Sequence, residues 1–273
     1  MKEFTVPEIK KVWIPKANHF AHFIHRKEMR HGHPIRRMCS AAVLQWPLTK
    51  LPVNNYRDFQ FPMDDNDQLG ICGSAAVAHA DNSFTGMNGT ESVFQLAALK
   101  KQYLEVSGGD NGLDDDMLIN KIWKKGIAGN PLAIIDEPLD VDPLDARMMQ
   151  AAIDQFGAVI FSLSVPDAWI NEFDPAGGSV WHAPAQANPE NGHYVVIVGV
   201  DPGGRYRVET WGSWCWLTPY GVAACDPAAF TVFSPRRFNS RGIDPTGANY
   251  TQKAAMWTHV GGSLVPARTF PNL

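Results

Sequence analysis

Asp64-Asp65-Asn66-Asp67-Gln68-Leu69-Gly70-Ile71-Cys72-Gly73-Ser74-Ala75-Ala76-Val77-Ala78-His79-Ala80 is where a polar, turn-prone run gives way to small, helix-compatible residues. A helix starting at that changeover puts Cys72 in its first turn, where unpaired backbone N–H groups and the positive end of the dipole favour an anion. Such a position lowers a thiol pKa and makes more of the nucleophilic thiolate. A cysteine in an Ala-rich stretch also reads as a small buried hydrophobe. His79 lies seven residues on, about 10 Å along the axis at 1.5 Å per residue, too far to form a dyad with Cys72.

A second stretch, Asn191-Gly192-His193-Tyr194-Val195-Val196-Ile197-Val198-Gly199-Val200-Asp201, reads as a buried strand ended by Pro202-Gly203-Gly204. His193 stands at its mouth. After the turn, Arg205-Tyr206-Arg207-Val208-Glu209-Thr210-Trp211-Gly212 reads as the partner strand of a hairpin. Glu209 and Trp211 share one face by alternation, which offers a carboxylate to hold the imidazole and an indole to keep water off that bond. A solvated edge-strand Glu is the plainer reading of the same spacing.

Taken together these segments resemble the papain-like cysteine peptidases. Their order is a polar amide six residues before the nucleophile, the Cys helix, a His opening an apolar strand, then Asn-Ser-Trp-Gly. Asn66 lies six residues before Cys72, and Glu209 sixteen after His193, as in the family. The Asn66-Asp67-x-x-Gly70-x-Cys72 pattern is also similar to divergent papain-like proteins of bacteria and phages. The likeness spans roughly residues 50 to 225. It implies an α+β papain-like fold, with an N-terminal helical half holding the nucleophile and a C-terminal antiparallel β half. It further implies a thiol hydrolase that cuts a peptide or related amide bond through Cys72, His193, Glu209 and Asn66. Gln68, Trp181 and Trp211 become candidates for substrate contact, and peptide or protein the substrate. No cofactor or metal is implied.

The departures are specific. Asn66 stands where the family has Gln, Glu209 where it has Asn, and Gly73 where it has Trp. A different registration aligns Cys72-Gly73-Ser74 with the family's Cys-Gly-Ser-Cys and puts Ala75 in the nucleophile's place. That version is a catalytically silent scaffold serving in binding or assembly, virion-associated if the chain is phage-encoded. Arylamine acetyltransferases and transglutaminase-like proteins share the Cys-His-Asp order, but their Cys-to-His spacing is generally shorter than the 121 residues here.

The 273 residues, 45% apolar and 19% charged, are enough to bury a sizeable core. No run of eighteen apolar residues offers a membrane span, and no signal peptide is recognisable at Met1-Lys2-Glu3-Phe4, so a cytoplasmic location is expected. Cys39, Cys72, Cys215 and Cys225 lie far apart, which argues against a disulfide framework or structural zinc.

Charge divides the chain. Residues 1–50 carry +7 and five of the nine histidines; the remainder carries −11. The first fifty residues read as a basic arm that packs over its own acidic body or against a partner subunit in a homo-oligomer or larger assembly. A nucleic-acid contact through Lys10, Lys11, Arg26, Lys27, Arg30, Arg36 and Arg37 is the less favoured alternative. Metal binding by His19, His22 and His25 is weaker still, because i, i+3 and i+6 leave a single helical face. A papain-like domain is expected over 51–233, and an irregular C-terminal extension over 234–273. Within the domain, helices are expected from Thr90-Glu91-Ser92 to an end at Gly108-Gly109, after Asp114-Asp115-Asp116, and after Asp142-Pro143. A loop is expected over 81–89, and a strand over Ala158 to Val165.

Overall fold

The computed structural model describes residues 36–55, 61–130 and 138–264. The basic and histidine-rich positions from Lys10 to His33 lie outside the described residues.

Nine strands, β1 (Arg36–Arg37), β2 (Val53–Asn54), β3 (Leu139–Val141), β4 (Val159–Ser164), β5 (Ser179–Trp181), β6 (Gly192–Val200), β7 (Tyr206–Thr210), β8 (Ser213–Leu217) and β9 (Ala228–Thr231), form one sheet among the described residues. Its order is β1-β3-β9-β4-β6-β7-β8-β5, with β2 paired to β6. Pairing from β3 through β8 is antiparallel, and the edge pairs β1–β3 and β5–β8 are parallel. The helices are α1 (Ser40–Val43), α2 (Cys72–Met87), α3 (Leu96–Ser107), α4 (Asp115–Met117), α5 (Ala146–Phe156), α6 (Asp167–Asn171), α7 (Pro219–Ala223) and α8 (Tyr250–His259). No described helix is long and apolar enough to cross a membrane.

Strand β6 is the middle of the molecule because both of its faces are apolar. Tyr194, Val196 and Val198 pack in one cluster with Val77 and Phe84 of α2, Trp123 and Phe230. Val195 and Ile197 pack in the other with Met149, Ile153 and Phe156 of α5, Val208 and Trp257. Burial on this scale contributes about 1.5–3 kcal/mol per large apolar side chain.

Helix α2 runs on through Met87, across the stretch the sequence marks as a loop. Asp81 and Ser83 are held by tertiary partners and Thr85 bonds back within the helix, which offsets their poor helix propensity. Asp81 meets Arg236, Ser83 donates to the Asn55 carbonyl, and Thr85 donates back to the Asp81 carbonyl. Helix α5 starts at Ala146, capped by Asp145 rather than by Asp142. Helix α4, capped by Asp114, continues as a π-helical turn through Leu118–Trp123. The C-terminal stretch expected to be irregular carries α8, closed at its start by a capping box of Asn249 and Gln252.

Candidate active site

Cys72 is the first residue of α2, a sixteen-residue helix whose N-cap, Ile71, supplies no side-chain acceptor and whose first turn holds no acid. The first amides are therefore left to the sulfur. The largest influence on the thiol is burial, which pushes its pKa up to about 11; hydrogen bonds from the backbone N–H groups of Tyr194, Gly73 and Cys72 itself act the other way. Asp110 adds a smaller upward push. Tyr194 directly follows His193 and is buried in one cluster with Cys72, so the start of α2 packs on the mouth of β6.

The approach to Cys72 is pinned on both sides. Asp64 and Asp65 take successive left-handed conformations, φ 53° and 55°, which Asp tolerates better than most residues. Asp64 then reaches His79 Nε2 at 3.0 Å, inside the protein. His79 is thus engaged with Asp64, in keeping with its distance from Cys72. Farther along, the Gly70 N–H donates to Asp110 at 2.8 Å, and the Tyr103 hydroxyl donates to the same oxygen at 2.5 Å. A Cβ at Gly70 would lie 3.0 Å from that hydroxyl, so a larger residue there would need Tyr103 to yield. Asn66 is buried in this turn, and Gln68 is exposed.

Gly73, where the resemblance calls for Trp, has no room for a large side chain. A Cβ there would lie 3.3 Å from Leu113, Leu118 and Tyr194. Those three side chains fill the volume beside Gly73.

His193 is buried, and its Nε2 hydrogen-bonds the Thr210 hydroxyl at 2.7 Å. Its ring lies nearly parallel to that of Trp211, centroids 4.7 Å apart. Trp211 has a left-handed φ of 48°, and its ring is held edge-on by Phe173 and Trp181. Burial drives the imidazole pKa down to about 3.

The structure corrects two sequence assignments. Glu209 does not meet His193; it accepts from Arg207 Nε at 2.7 Å. The cause is register. Val196 lies opposite Glu209 and Ile197 opposite Val208, and paired residues share a face. His193 alternates with Ile197, so Thr210 joins its face and Glu209 the other. The left-handed turn at Trp211 breaks the alternation that placed Glu209 and Trp211 together. Burial raises the Glu209 pKa to about 7 against the pull of Arg207. Trp181 is the second correction. It is fully buried and stacked on Trp169 at 5.3 Å, part of the core rather than a surface for substrate. Sequence reasoning missed Thr210, Asp64 and Asp110; only Thr210 was in principle recoverable, from strand alternation.

Among the described residues, no group of three or more His, Cys, Asp or Glu side chains is placed to hold a metal ion. What the arrangement holds is a thiol at the head of a helix and an oriented imidazole at the mouth of the strand on which that helix packs.

No protein-family model matches the chain, and no curated protein matches it in sequence. Solved structures do match. Xylellain, a cysteine protease from Xylella fastidiosa, superposes with a TM-score of 0.53 at 16% identity, over 73% of this chain and 91% of that one. Digestive procathepsin L 3 of Tenebrio molitor gives 0.54 at 14% identity, over 73% and 74%. A structure from work on the mite allergens Blo t 1 and Der p 1 gives 0.56 at 10% identity, over 80% of each chain. At such identities the likeness concerns the backbone. With a central antiparallel sheet, a cysteine heading the helix packed on it and a histidine at the mouth of its middle strand, this chain has the fold of the papain-like cysteine proteases.

Proposed function

We propose that the protein is a papain-like thiol hydrolase acting on a peptide or related amide bond, with Cys72 as nucleophile and His193 as general base. The observation that carries this reading is that Cys72, the first residue of α2, is buried in one cluster with Tyr194, the residue after His193 at the mouth of β6. Burial disfavours a lone charge on either group, since the thiol is held at about 11 and the imidazole at about 3. One proton passing from sulfur to imidazole creates both charges together, and their mutual attraction offsets the desolvation of each. The amides at the helix end favour the thiolate so formed.

In this mechanism the thiolate attacks the acyl carbon, and the carbonyl oxygen takes the negative charge. The Cys72 N–H and the Asn66 side-chain amide donate to that oxyanion; losing one such donor typically costs about 10²–10³ in turnover. The C–N bond breaks as the imidazolium protonates the leaving amine. Water then adds to the thioester, His193 taking its proton, and release of the acid restores the thiol.

The burial of both groups also favours a second reading, a silent scaffold kept for binding or assembly. Alkylation by iodoacetamide at pH 6 separates the two. Loss of the Cys72 thiol faster than that of exposed Cys39, abolished by His193→Ala, supports the hydrolase. Labelling of Cys72 no faster than Cys39 overturns it in favour of the scaffold.

A further inference from the structure

We propose that Thr210 is the positioning residue of His193, in place of the carboxylate that the sequence motif offers one residue earlier. The inference rests on the hydrolase reading only for its kinetic consequence; the geometry stands on its own. The Thr210 hydroxyl lies 2.7 Å from Nε2, and the side chains of both residues are enclosed. Trp211 covers the ring from the side, and Phe173 and Trp181 back that indole, so the imidazole has one orientation to occupy. Glu209 is committed to Arg207 on the opposite face of the strand, where Arg207 also packs 3.6 Å over the Trp214 ring.

The chemistry of a hydroxyl differs from that of a carboxylate in two ways. It can accept from Nε2–H, which leaves Nδ1 as the nitrogen that exchanges a proton with the thiol. Being neutral, it orients the ring while stabilising the imidazolium less than a carboxylate would. Accepting from Nε2–H, Thr210 holds the ring by that nitrogen and leaves most of the charge of the pair to be balanced by the thiolate.

The test uses the full chain labelled with ¹⁵N-histidine, in wild-type form and as Thr210→Val, Thr210→Ser, Thr210→Asp and Glu209→Gln. The ring nitrogen shifts of His193 report its tautomer and charge between pH 5 and 8, and iodoacetamide reports the Cys72 alkylation rate over the same range. Wild type and Thr210→Ser should show the Nε2–H tautomer. Thr210→Val should show mixed tautomers and, at pH 6, alkylation slower by about tenfold or more, since misorientation alone is costly. Thr210→Asp should move the His193 titration upward. Glu209→Gln should leave the shifts as in wild type. If Cys72 is inert in every variant while the tautomer still follows residue 210, the hydrolase reading fails and the positioning role stands. An unchanged tautomer in folded Thr210→Val, or a change produced by Glu209→Gln, overturns the proposal. Should Thr210→Val not fold, an upward shift of the His193 titration in Thr210→Asp supports the role, and none refutes it.

Discussion

Asp64 Oδ2 and His79 Nε2 meet at 3.0 Å inside the protein, joining the turn that carries Asn66 to the helix that Cys72 begins. The turn owes its shape to this contact as much as to its own sequence. Asp64→Gly should lose the hydrogen bond and destabilise the fold by about 1–3 kcal/mol. Asp64→Ala should lose about 1 kcal/mol more, because alanine tolerates φ 53° poorly. Urea denaturation of the two variants against wild type checks the order; equal losses would refute the contribution of backbone strain.

Arg236 reaches helix α2 from 155 residues beyond Asp81. Its Nε lies 2.7 Å from Asp81 Oδ1 and its Nη2 donates to Oδ2 at 2.9 Å, with Asp81 fully buried. Removing one partner strands a buried charge, so Arg236→Met should cost about 3–5 kcal/mol. The double variant Arg236→Met/Asp81→Leu should recover much of that loss. A thermal-melt cycle over the four proteins measures it, and additive single effects would contradict the pairing.

Gly73 sets a volume limit beside Cys72. Gly73→Trp, which restores the residue the family carries, should overpack Leu113, Leu118 and Tyr194 and lower stability by about 1–3 kcal/mol or more. Gly73→Ala should cost much less, since a methyl needs its neighbours to yield by only a few tenths of an ångström. Circular dichroism melts give the comparison.

His193 gives the fold a pH dependence of known sign. Burial lowers its pKa from 6.5 to about 3, so unfolding takes up a proton between those values. Its contribution is complete above pH 6.5 and is lost as the pH falls toward 3. One such proton is worth about 1.4 kcal/mol per pH unit. Subtracting the urea stability of His193→Gln from that of wild type at pH 7, 6 and 5 isolates this group from Glu209 and Asp81, whose raised values act in the opposite sense. A difference that does not shrink with falling pH would refute it.

Local pattern reveals the elements near the site, and tertiary geometry decides the details. The apolar run after His193 announces β6, and the small residues after Cys72 announce the start of α2, because periodicity and composition are local properties. The end of α2 is hidden, since Asp81 and Ser83 are held by Arg236 and Asn55, which no window around residue 80 contains. Glu209 misleads for a different reason. A single left-handed residue, Trp211, shifts which side of the strand a motif presents, and no composition rule marks it. Helix α8 escapes a pattern search because its buried side includes a cation, Lys253, which donates to Gln155 at 2.7 Å within the core.

The Arg236 contact also bears on biosynthesis. Arg236 leaves the ribosome 155 residues after Asp81. At about 5–20 residues per second, that interval is roughly 10–30 s. Throughout it the helix headed by Cys72 lacks this anchor, so a nascent chain would hold Asp81 without its partner until Arg236 emerges.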